Sequence, residues 1–267
     1  MKTPRVIYFG LAALLITLGL TGCKQQSFSN HYNTEQETAL GQQIAAEVES
    51  ENKIDMDPQD NTRVERIAQP IFDQARKVRP DVTYQIKIIQ SPEVNAFSLP
   101  GGWIYVYTGL LDKVGNDDDA LACVIGHECS HVVLRHVVKQ LSDEEAKGTL
   151  VEAIGVFTGN YNAYNVAEAA VELQELHFSR EDEYQADQYG LMFAYNAGFD
   201  PYGMPRFFQK LENIEKAEGS TPVWAEDHPI TKNRIIRANQ LIEILRANDG
   251  KYPANMQIDQ NVQVDNK

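Results

Sequence analysis

The stretch GHECSH, residues 126–131, holds two histidines four residues apart, with a glutamate beside the first. On a helix such histidines lie one turn apart on one face, so the imidazoles of His127 and His131 can reach one zinc ion at about 2.0–2.1 Å. Glu128 lies about 100° round the helix, where its carboxylate can take a proton from a water that the metal has made acidic. The spacing therefore predicts peptide-bond hydrolysis. Two unrelated core or surface histidines are the alternative.

A catalytic zinc site needs a third protein ligand. The class that takes a third histidine ten residues after the first is excluded, because Leu134 and Val137 occupy the positions of its glycine and histidine. His136 follows His127 by nine residues, about 900° round a continuous helix, and so falls on the opposite face. We expect His136 to be an exposed or packing residue, and the third ligand to come from another segment.

Residues 178–190, FSREDEYQADQYG, supply that ligand. Glu183 and Asp187 lie one turn apart on a helical stripe shared with Gly190 and Ala194. Acids on such a small, apolar stripe must be paired or bound to something. We predict Glu183 as the third ligand and Asp187 as the acceptor for the far ring N–H of a zinc histidine, which would fix its tautomer. A surface acidic run is the alternative.

The elements that must position these side chains are helices and a small group of strands. Residues 83–91 alternate like a strand, and residues 94–111, with the turn signal Leu-Pro-Gly-Gly, predict a hairpin-like pair. Residues 116–141 predict one long helix that carries the histidines, with acids in its first turn. A second helical stretch runs from about residue 165 to residue 197.

The first 22 residues predict a secretory signal, with Lys2 and Arg5 before an apolar run. The ending LTGC resembles a bacterial lipoprotein box, which implies cleavage before Cys23 and acylation of that residue. Two or more acyl chains hold a protein stably on a membrane. Lys24 in the sorting position favours the outer membrane, facing the periplasm. A plain signal peptide or an uncleaved anchor helix is the alternative.

The boundaries that we expect are a lipoprotein signal peptide over 1–22, a lipid-anchored tether over 23–33, one domain over 34–250 and a disordered tail over 251–267. The net charge of −14 argues against nucleic acid as a partner, because an acidic surface repels phosphates. Cys123 and Cys129 point to different sides of the predicted helix. We expect them to be buried packing residues rather than a disulfide or metal ligands.

HECSH followed by SREDEYQAD resembles the peptidase M forty-eight family, the zincin group that holds HtpX, the CAAX prenyl protease and the Oma-type proteases, and in particular its periplasmic, lipoprotein-like branch. This resemblance implies an α+β, gluzincin-type, zincin-like metallopeptidase domain. Such a domain is mostly helical, and the edge strand of its small sheet borders the active-site cleft. The family motif falls on His127, Glu128, His131, Glu183 and Asp187.

The segment NAFSLPGGWIYVYTGLL also resembles the family, at its edge strand. The resemblance implies that a polypeptide substrate binds there as an added strand, with Asn95, Ala96 and Phe97 as substrate-binding residues. A plain hairpin without that role is the alternative.

The segment DHPITKNRI resembles a late part of the family pattern and implies that His228 lies near the zinc. His228 could be a fourth ligand that plugs the site, or it could donate to the oxyanion, a role also open to Arg234. A helix-start residue with no catalytic part is the alternative for His228.

These expectations combine into one function: a zinc-dependent endopeptidase of the bacterial cell envelope, with one Zn²⁺ per chain, that cleaves misfolded or misassembled envelope proteins. Two alternatives stay open. The domain could be an envelope assembly factor or chaperone-like binding module with a latent, histidine-plugged zinc site. It could also be an inactive enzyme whose metal is structural, which four protein ligands would close.

Overall fold

A computed structural model describes residues 32–147 and 177–253 of the chain. The signal peptide, Cys23 and all but the end of the tether predicted from the sequence lie outside the described residues, as does the predicted tail beyond residue 253. Within those two ranges the elements, in chain order, are α1 (Thr34–Glu51), α2 (Pro58–Val78), β1 (Gln85–Ile89), β2 (Ala96–Leu99), β3 (Trp103–Tyr107), α3 (Thr108–Val114), α4 (Asp118–Leu134), α5 (His136–Lys147), α6 (Arg180–Asn196), α7 (Gly203–Glu218), α8 (Val223–Asp227) and α9 (Lys232–Ala247). No helix in the described ranges has the length and apolar character needed to cross a membrane.

The three strands form one mixed sheet in the order β1-β3-β2. β2 and β3 are antiparallel, with Ala96 opposite Val106, and β1 joins the other side of β3 in parallel. Gly101 and Gly102 make the turn between β2 and β3 with φ angles of 78° and 109°, which side chains other than glycine rarely adopt. The expected α+β architecture is confirmed: a mostly helical domain with a small sheet, in which β2 is an edge strand.

α4 lies at the centre of the domain and is contacted by α2, α6, α7 and β2. Asp117 caps its start by accepting from the backbone N–H of Ala120 at 3.1 Å. Every residue of α4 from Ala120 to Val133 is buried, because the helix has neighbours on all sides. Cys123 and Cys129 are buried free thiols within it, which confirms that they are packing residues.

The prediction of one helix through residues 116–141 is wrong, because the chain breaks at Arg135. Arg135 adopts a left-handed conformation (φ 60°, ψ 34°) that ends α4, and α5 begins at His136. That conformation costs a residue with a side chain about 1–2 kcal/mol. The buried carboxylate of Glu37 stabilises the turn: it accepts from Arg135 Nε at 3.0 Å and pairs with both terminal nitrogens of Arg79. The helix axis therefore changes direction immediately before His136.

The helical stretch predicted from about residue 165 to residue 197 falls partly outside the described residues. Residues 177–179 are not helical, and the Ser179 side chain caps α6 by accepting from the backbone N–H of Asp182. The helix that carries Glu183 and Asp187 therefore begins at Arg180, with Glu183 in its first turn and Asp187 one turn further on.

α4 and α6 cross in direct backbone contact at Gly126 and Gly190. A Cβ placed on Gly190 would lie 2.8 Å from the backbone nitrogen of His127, and one placed on Gly126 would lie 2.8 Å from the carbonyl oxygen of Gly190. Backbone atoms cannot move aside as a flexible side chain can, so only glycine fits on either helix here. This contact brings the histidine-bearing face of α4 against the acid-bearing face of α6.

We predict that Gly190→Ala forces α4 and α6 apart. Overpacking of this kind costs about 1–3 kcal/mol, so the free energy of unfolding in urea should fall by that amount and metal affinity should fall with it. Gln188→Ala, at a partly exposed position of the same helix, is the matched control and should unfold like the wild type. Unchanged stability and metal content in Gly190→Ala would contradict the close crossing.

Candidate metal centre

Four side chains from three elements converge inside the domain. His127 and His131 come from α4, Glu183 comes from α6, and His228 follows the short helix α8. Each offers one ligand atom, and these four atoms all lie within 4.8 Å of one another. All four residues are buried, with His127 and His131 at 0% exposure.

The distances between the ligand atoms suit a small ion. His127 Nε2 lies 3.1 Å from His131 Nε2, and each of these nitrogens lies 3.5 Å from an oxygen of Glu183. His228 Nδ1 lies 2.8 Å from Glu183 Oε1 and 3.3 Å from His127 Nε2. Ligand atoms at about 2.0–2.1 Å from a tetrahedral zinc are separated by about 3.3 Å, which is the spacing of this set.

The chemistry of the donor set also fits a metal. Glu183 Oε2 is buried and accepts no hydrogen bond, although Arg234 Nη1 lies 2.6 Å away without the alignment of one. Burial opposes the charge on Glu183, but Arg234, His228 and His127 outweigh it and lower its pKa to about 2. Burial, together with the neighbouring His127, lowers the pKa of His131 well below its usual range. A metal needs deprotonated ligands, and Glu183 and His131 match this need with an ionised carboxylate and a neutral imidazole.

Asp187 and Arg234 lie outside the set of four potential ligands and contact its members. Asp187 Oδ1 lies 3.1 Å from His127 Nδ1, on the side of the ring that faces away from the ligand cluster. Arg234 donates to both Asp187 oxygens, from Nε at 2.8 Å and from Nη2 at 2.7 Å. Burial disfavours the charge on Asp187, yet Arg234 and His127 hold the pKa of this carboxyl well below its usual range. Arg234 Nη1 turns to Glu183 and to the His228 carbonyl, so every guanidinium nitrogen is engaged.

Glu128 lies beside the ligand set without belonging to it. Its Oε1 accepts from the Trp224 indole N–H at 3.2 Å, and its Oε2 accepts from the Ser98 hydroxyl at 3.3 Å. His228 Nε2 lies 3.6 Å from Oε1. The carboxylate is therefore fixed at both oxygens by two residues that the sequence analysis missed. Ser98 could have been found, since it lies two residues after Ala96 and shares its face of the strand; no sequence signal pointed to Trp224.

Aromatic rings enclose His228. Trp224 stacks on one side with ring centroids 4.7 Å apart, and Phe178 stacks on the ring at 5.5 Å. Phe178 also lies over His131, with centroids 4.0 Å apart. His228 thus points Nδ1 at the ligand atoms from a packed apolar slot.

The edge strand meets the site through one face. The carbonyl of Asn95 accepts from the backbone N–H of Tyr107, so in this antiparallel pair Asn95 and Phe97 direct their main chain toward β3. The main chain of Ala96 and Ser98 is then directed to the outer edge. The Phe97 side chain packs on Tyr105 at 5.0 Å, within the cluster formed with α1, away from Glu128. The structure therefore brings Ser98 next to Glu128, beside the four potential ligands. It does not bring the Phe97 side chain there.

His136 is not on the face opposite His127, as the assumption of a continuous helix predicted. Because the chain turns at Arg135, its Nδ1 lies 3.0 Å from Nδ1 of His131, and the residue is buried. His136 contacts the ring nitrogen of His131 that faces away from the ligand cluster.

The pattern of Peptidase family M48 matches residues 58–242, which include every residue of this site. The chain belongs to peptidase family M48. It is similar, at 32% identity over 153 residues, to metalloprotease LoiP of Escherichia coli, covering 55% of this chain and 58% of that protein.

Two other relatives of this M48 chain are longer proteins. It is 25% identical over 210 residues to a putative beta-barrel assembly-enhancing protease of Vibrio cholerae, covering 75% of this chain and 43% of the relative. It is 30% identical over 158 residues to the mitochondrial metalloendopeptidase OMA1 of Schizosaccharomyces pombe, covering 58% of this chain and 45% of the relative. The chain therefore spans less than half the length of these two relatives.

We predict that Asp187→Asn weakens metal binding in this M48 site about 10–100-fold, the usual effect of mutating the group that orients a ligand histidine. The amide removes the negative charge that balances Arg234 and lets the His127 ring reorient. Competition with a chromogenic chelator measures the affinity. Gln188→Ala, at a partly exposed position of the same helix, is the control and should bind like the wild type. Equal affinities for Asp187→Asn and the wild type would show that Asp187 does not orient the ligand.

Proposed function

We propose that this protein is a zinc-dependent endopeptidase that hydrolyses peptide bonds in polypeptide substrates. The observation that supports this most directly is the pairing of the four-donor cluster with Glu128, a carboxylate that lies beside the cluster and is not part of it. Zinc, when bound by His127, His131 and Glu183, supplies Lewis-acid polarisation of the scissile carbonyl and lowers the pKa of water toward about 7. Membership of peptidase family M48 supports the same reaction.

Glu128 is the general base and acid in this proposal. It takes a proton from the attacking water and delivers it to the leaving amine. Its hydrogen bonds from Trp224 and Ser98 hold the carboxylate in one orientation, which is what efficient proton transfer requires. Both donors would remain in place while the proton moves.

The substrate binds as a strand added to the outer edge of β2. The outward main-chain groups of Ser98 and the outward carbonyl of Ala96 would pair with it, and Ser98 connects that edge to Glu128. The strand would thereby place a scissile bond beside the general base. Asn95 shapes the start of this edge, since its side-chain oxygen accepts from the backbone N–H of Ala96 at 2.8 Å.

His228 is a fourth ligand that plugs the site in this proposal. Its Nδ1 lies within the ligand cluster, and Trp224 and Phe178 hold the ring there. A donor to the oxyanion would instead be directed at the substrate carbonyl. Arg234 acts as a positioning residue for Glu183 and Asp187, because all of its guanidinium nitrogens are already engaged.

The protein acts in the bacterial cell envelope, anchored by lipid at Cys23 on the outer membrane and facing the periplasm. The LTGC ending of the apolar run and Lys24 support this placement. Its task is protein quality control: cleavage of misfolded or misassembled envelope proteins. The similarity to the beta-barrel assembly-enhancing protease supports an envelope setting, because such β-barrels are outer-membrane structures.

A second candidate function is supported by the closure of the site. All four potential ligands are at most 2% exposed, so a substrate cannot reach them without a rearrangement. The domain would then serve as an envelope assembly factor or chaperone-like module in which proteolysis is latent. Its test is genetic: a Glu128→Gln protein that fully rescues a deletion strain would place the function in binding rather than cleavage.

We predict that purified protein digests casein or an unfolded β-barrel precursor, and that a chelator stops the digestion. Glu128→Gln should lose at least about 100-fold in kcat, because a positioned general base contributes about 10²–10⁴-fold, and should keep its metal. Glu226→Gln, an exposed acid on α8, is the matched control and should cleave normally. Digestion that survives both the chelator and Glu128→Gln would refute the endopeptidase.

We predict that His228→Ala raises kcat/KM. If the unplugged form is populated at about 10%, removal of the plug should increase the rate about tenfold. An oxyanion donor would have the opposite effect, a fall in kcat of about 10²–10³-fold. The double variant with Glu128→Gln should be inactive, which excludes a contaminating protease. A lower kcat in His228→Ala would assign the oxyanion role instead.

A further inference from the structure

The second ligand histidine has an unusual partner. His131 directs Nε2 into the ligand cluster, so its Nδ1 is the nitrogen left on the far side of the ring. That Nδ1 lies 3.0 Å from Nδ1 of His136, and both residues are buried. His127, by contrast, has the carboxylate of Asp187 at the equivalent place. The two ligand histidines are therefore supported by different chemistry, a charged acceptor in one case and an imidazole in the other.

The contact between two ring nitrogens fixes both tautomers. A hydrogen bond between them needs one proton, carried by one of the two rings. When Nε2 of His131 binds a metal, the ring proton stays on Nδ1, so His131 is the donor. His136 must then accept with an unprotonated Nδ1 and carry its own proton on Nε2.

The remaining contacts of His136 match that assignment. Its Nε2 lies 3.4 Å from Oε1 of Gln185 and 3.7 Å from Oδ1 of Asp182, both of which can only accept. The Gln185 amide is oriented in turn, because its Nε2 donates to Glu181 at 3.1 Å. A series of hydrogen bonds, each donor followed by its acceptor, thus runs from the ligand His131 through His136 and Gln185 to Glu181.

The turn at Arg135 creates the contact between His136 and His131. The left-handed Arg135, held by Glu37, turns the chain so that the first residue of α5 faces back onto α4. α6 completes the arrangement with Gln185, which lies in the sequence between Glu183 and Asp187. A straight helix would carry His136 to the opposite face.

We propose that His136 is a positioning residue that fixes the tautomer and the ring orientation of His131 for metal binding. This inference rests on the proposed function only in requiring that the site binds a divalent ion. His136 acts through His131 and touches neither substrate nor ion. Its loss removes the acceptor for the His131 N–H and leaves that donor buried without a partner, which destabilises the metal-binding orientation of the ring.

The first test measures zinc affinity of the full chain by competition with a chromogenic chelator. His136→Leu, which removes the acceptor, should weaken zinc binding about 10–100-fold. His136→Asn should restore binding to within a few-fold of the wild type, because its Oδ1 can accept where Nδ1 does. Gln140→Ala, a partly exposed residue of α5, is the control and should bind normally. Equal weakening by Leu and Asn, or no weakening by Leu, would overturn the proposal.

The second test needs no variant and therefore does not depend on how a variant folds. Nitrogen-15 spectra of the histidine rings in the zinc-loaded protein report which nitrogen carries each proton. The proposal requires the proton of His131 on Nδ1 and that of His136 on Nε2, opposite tautomers in adjacent rings. A residue at position 136 that only fills space would not fix the tautomers of the two rings. A proton on Nδ1 of His136 would overturn the proposal.

These outcomes are separable from those of the proposed function. Tight zinc binding that depends on His136, in a protein that cleaves nothing, would refute the endopeptidase and leave the role of His136 intact. Normal cleavage together with normal zinc affinity in His136→Leu would refute the role of His136 and leave the endopeptidase intact.

Discussion

The close crossing of α4 and α6 is the constraint on which the site depends. The histidines of α4 and the acids of α6 can share one ion only if the two backbones approach to contact, and Gly126 and Gly190 allow that approach. A larger residue at either position would move the helices apart by part of an ångström or more. Metal coordination tolerates deviations of about 0.2 Å, so the packing of two glycines sets the geometry of the ligands.

Buried charge is the second organising feature. Glu128, Glu183 and Asp187 bring three carboxylates into a region from which water is excluded, and Arg234 supplies one positive charge. These four side chains have a formal charge of minus two. A divalent ion bound by the cluster would balance that charge inside the domain. Arg234 is central to this balance, since it contacts the ligand Glu183 and the supporting Asp187 together.

Closure of the site and its chemistry are linked through His228. The residue lies among the ligand atoms, close to Glu128, and between the rings of Trp224 and Phe178. Trp224 serves two contacts at once, because it donates to Glu128 and stacks on His228. Movement of His228 away from the other potential ligands would therefore disturb the packing around Glu128. Opening of the site and alignment of Glu128 are in this way coupled by a single indole ring.

The sequence by itself determined what depends on local geometry. Two histidines at a four-residue spacing share a helix face whatever surrounds them, and acids on a small, apolar stripe need a partner wherever the helix packs. Glu183 and Asp187 could therefore be singled out, as could the edge position of β2 through the resemblance to its family. The tertiary structure alone decided the helix break at Arg135, because the turn is stabilised by Glu37, which lies 98 residues away in the chain. That break placed His136 against His131, and long-range packing likewise chose Ser98 and Trp224 as donors to Glu128. Periodicity carries no information about such contacts, because it describes one helix or strand at a time.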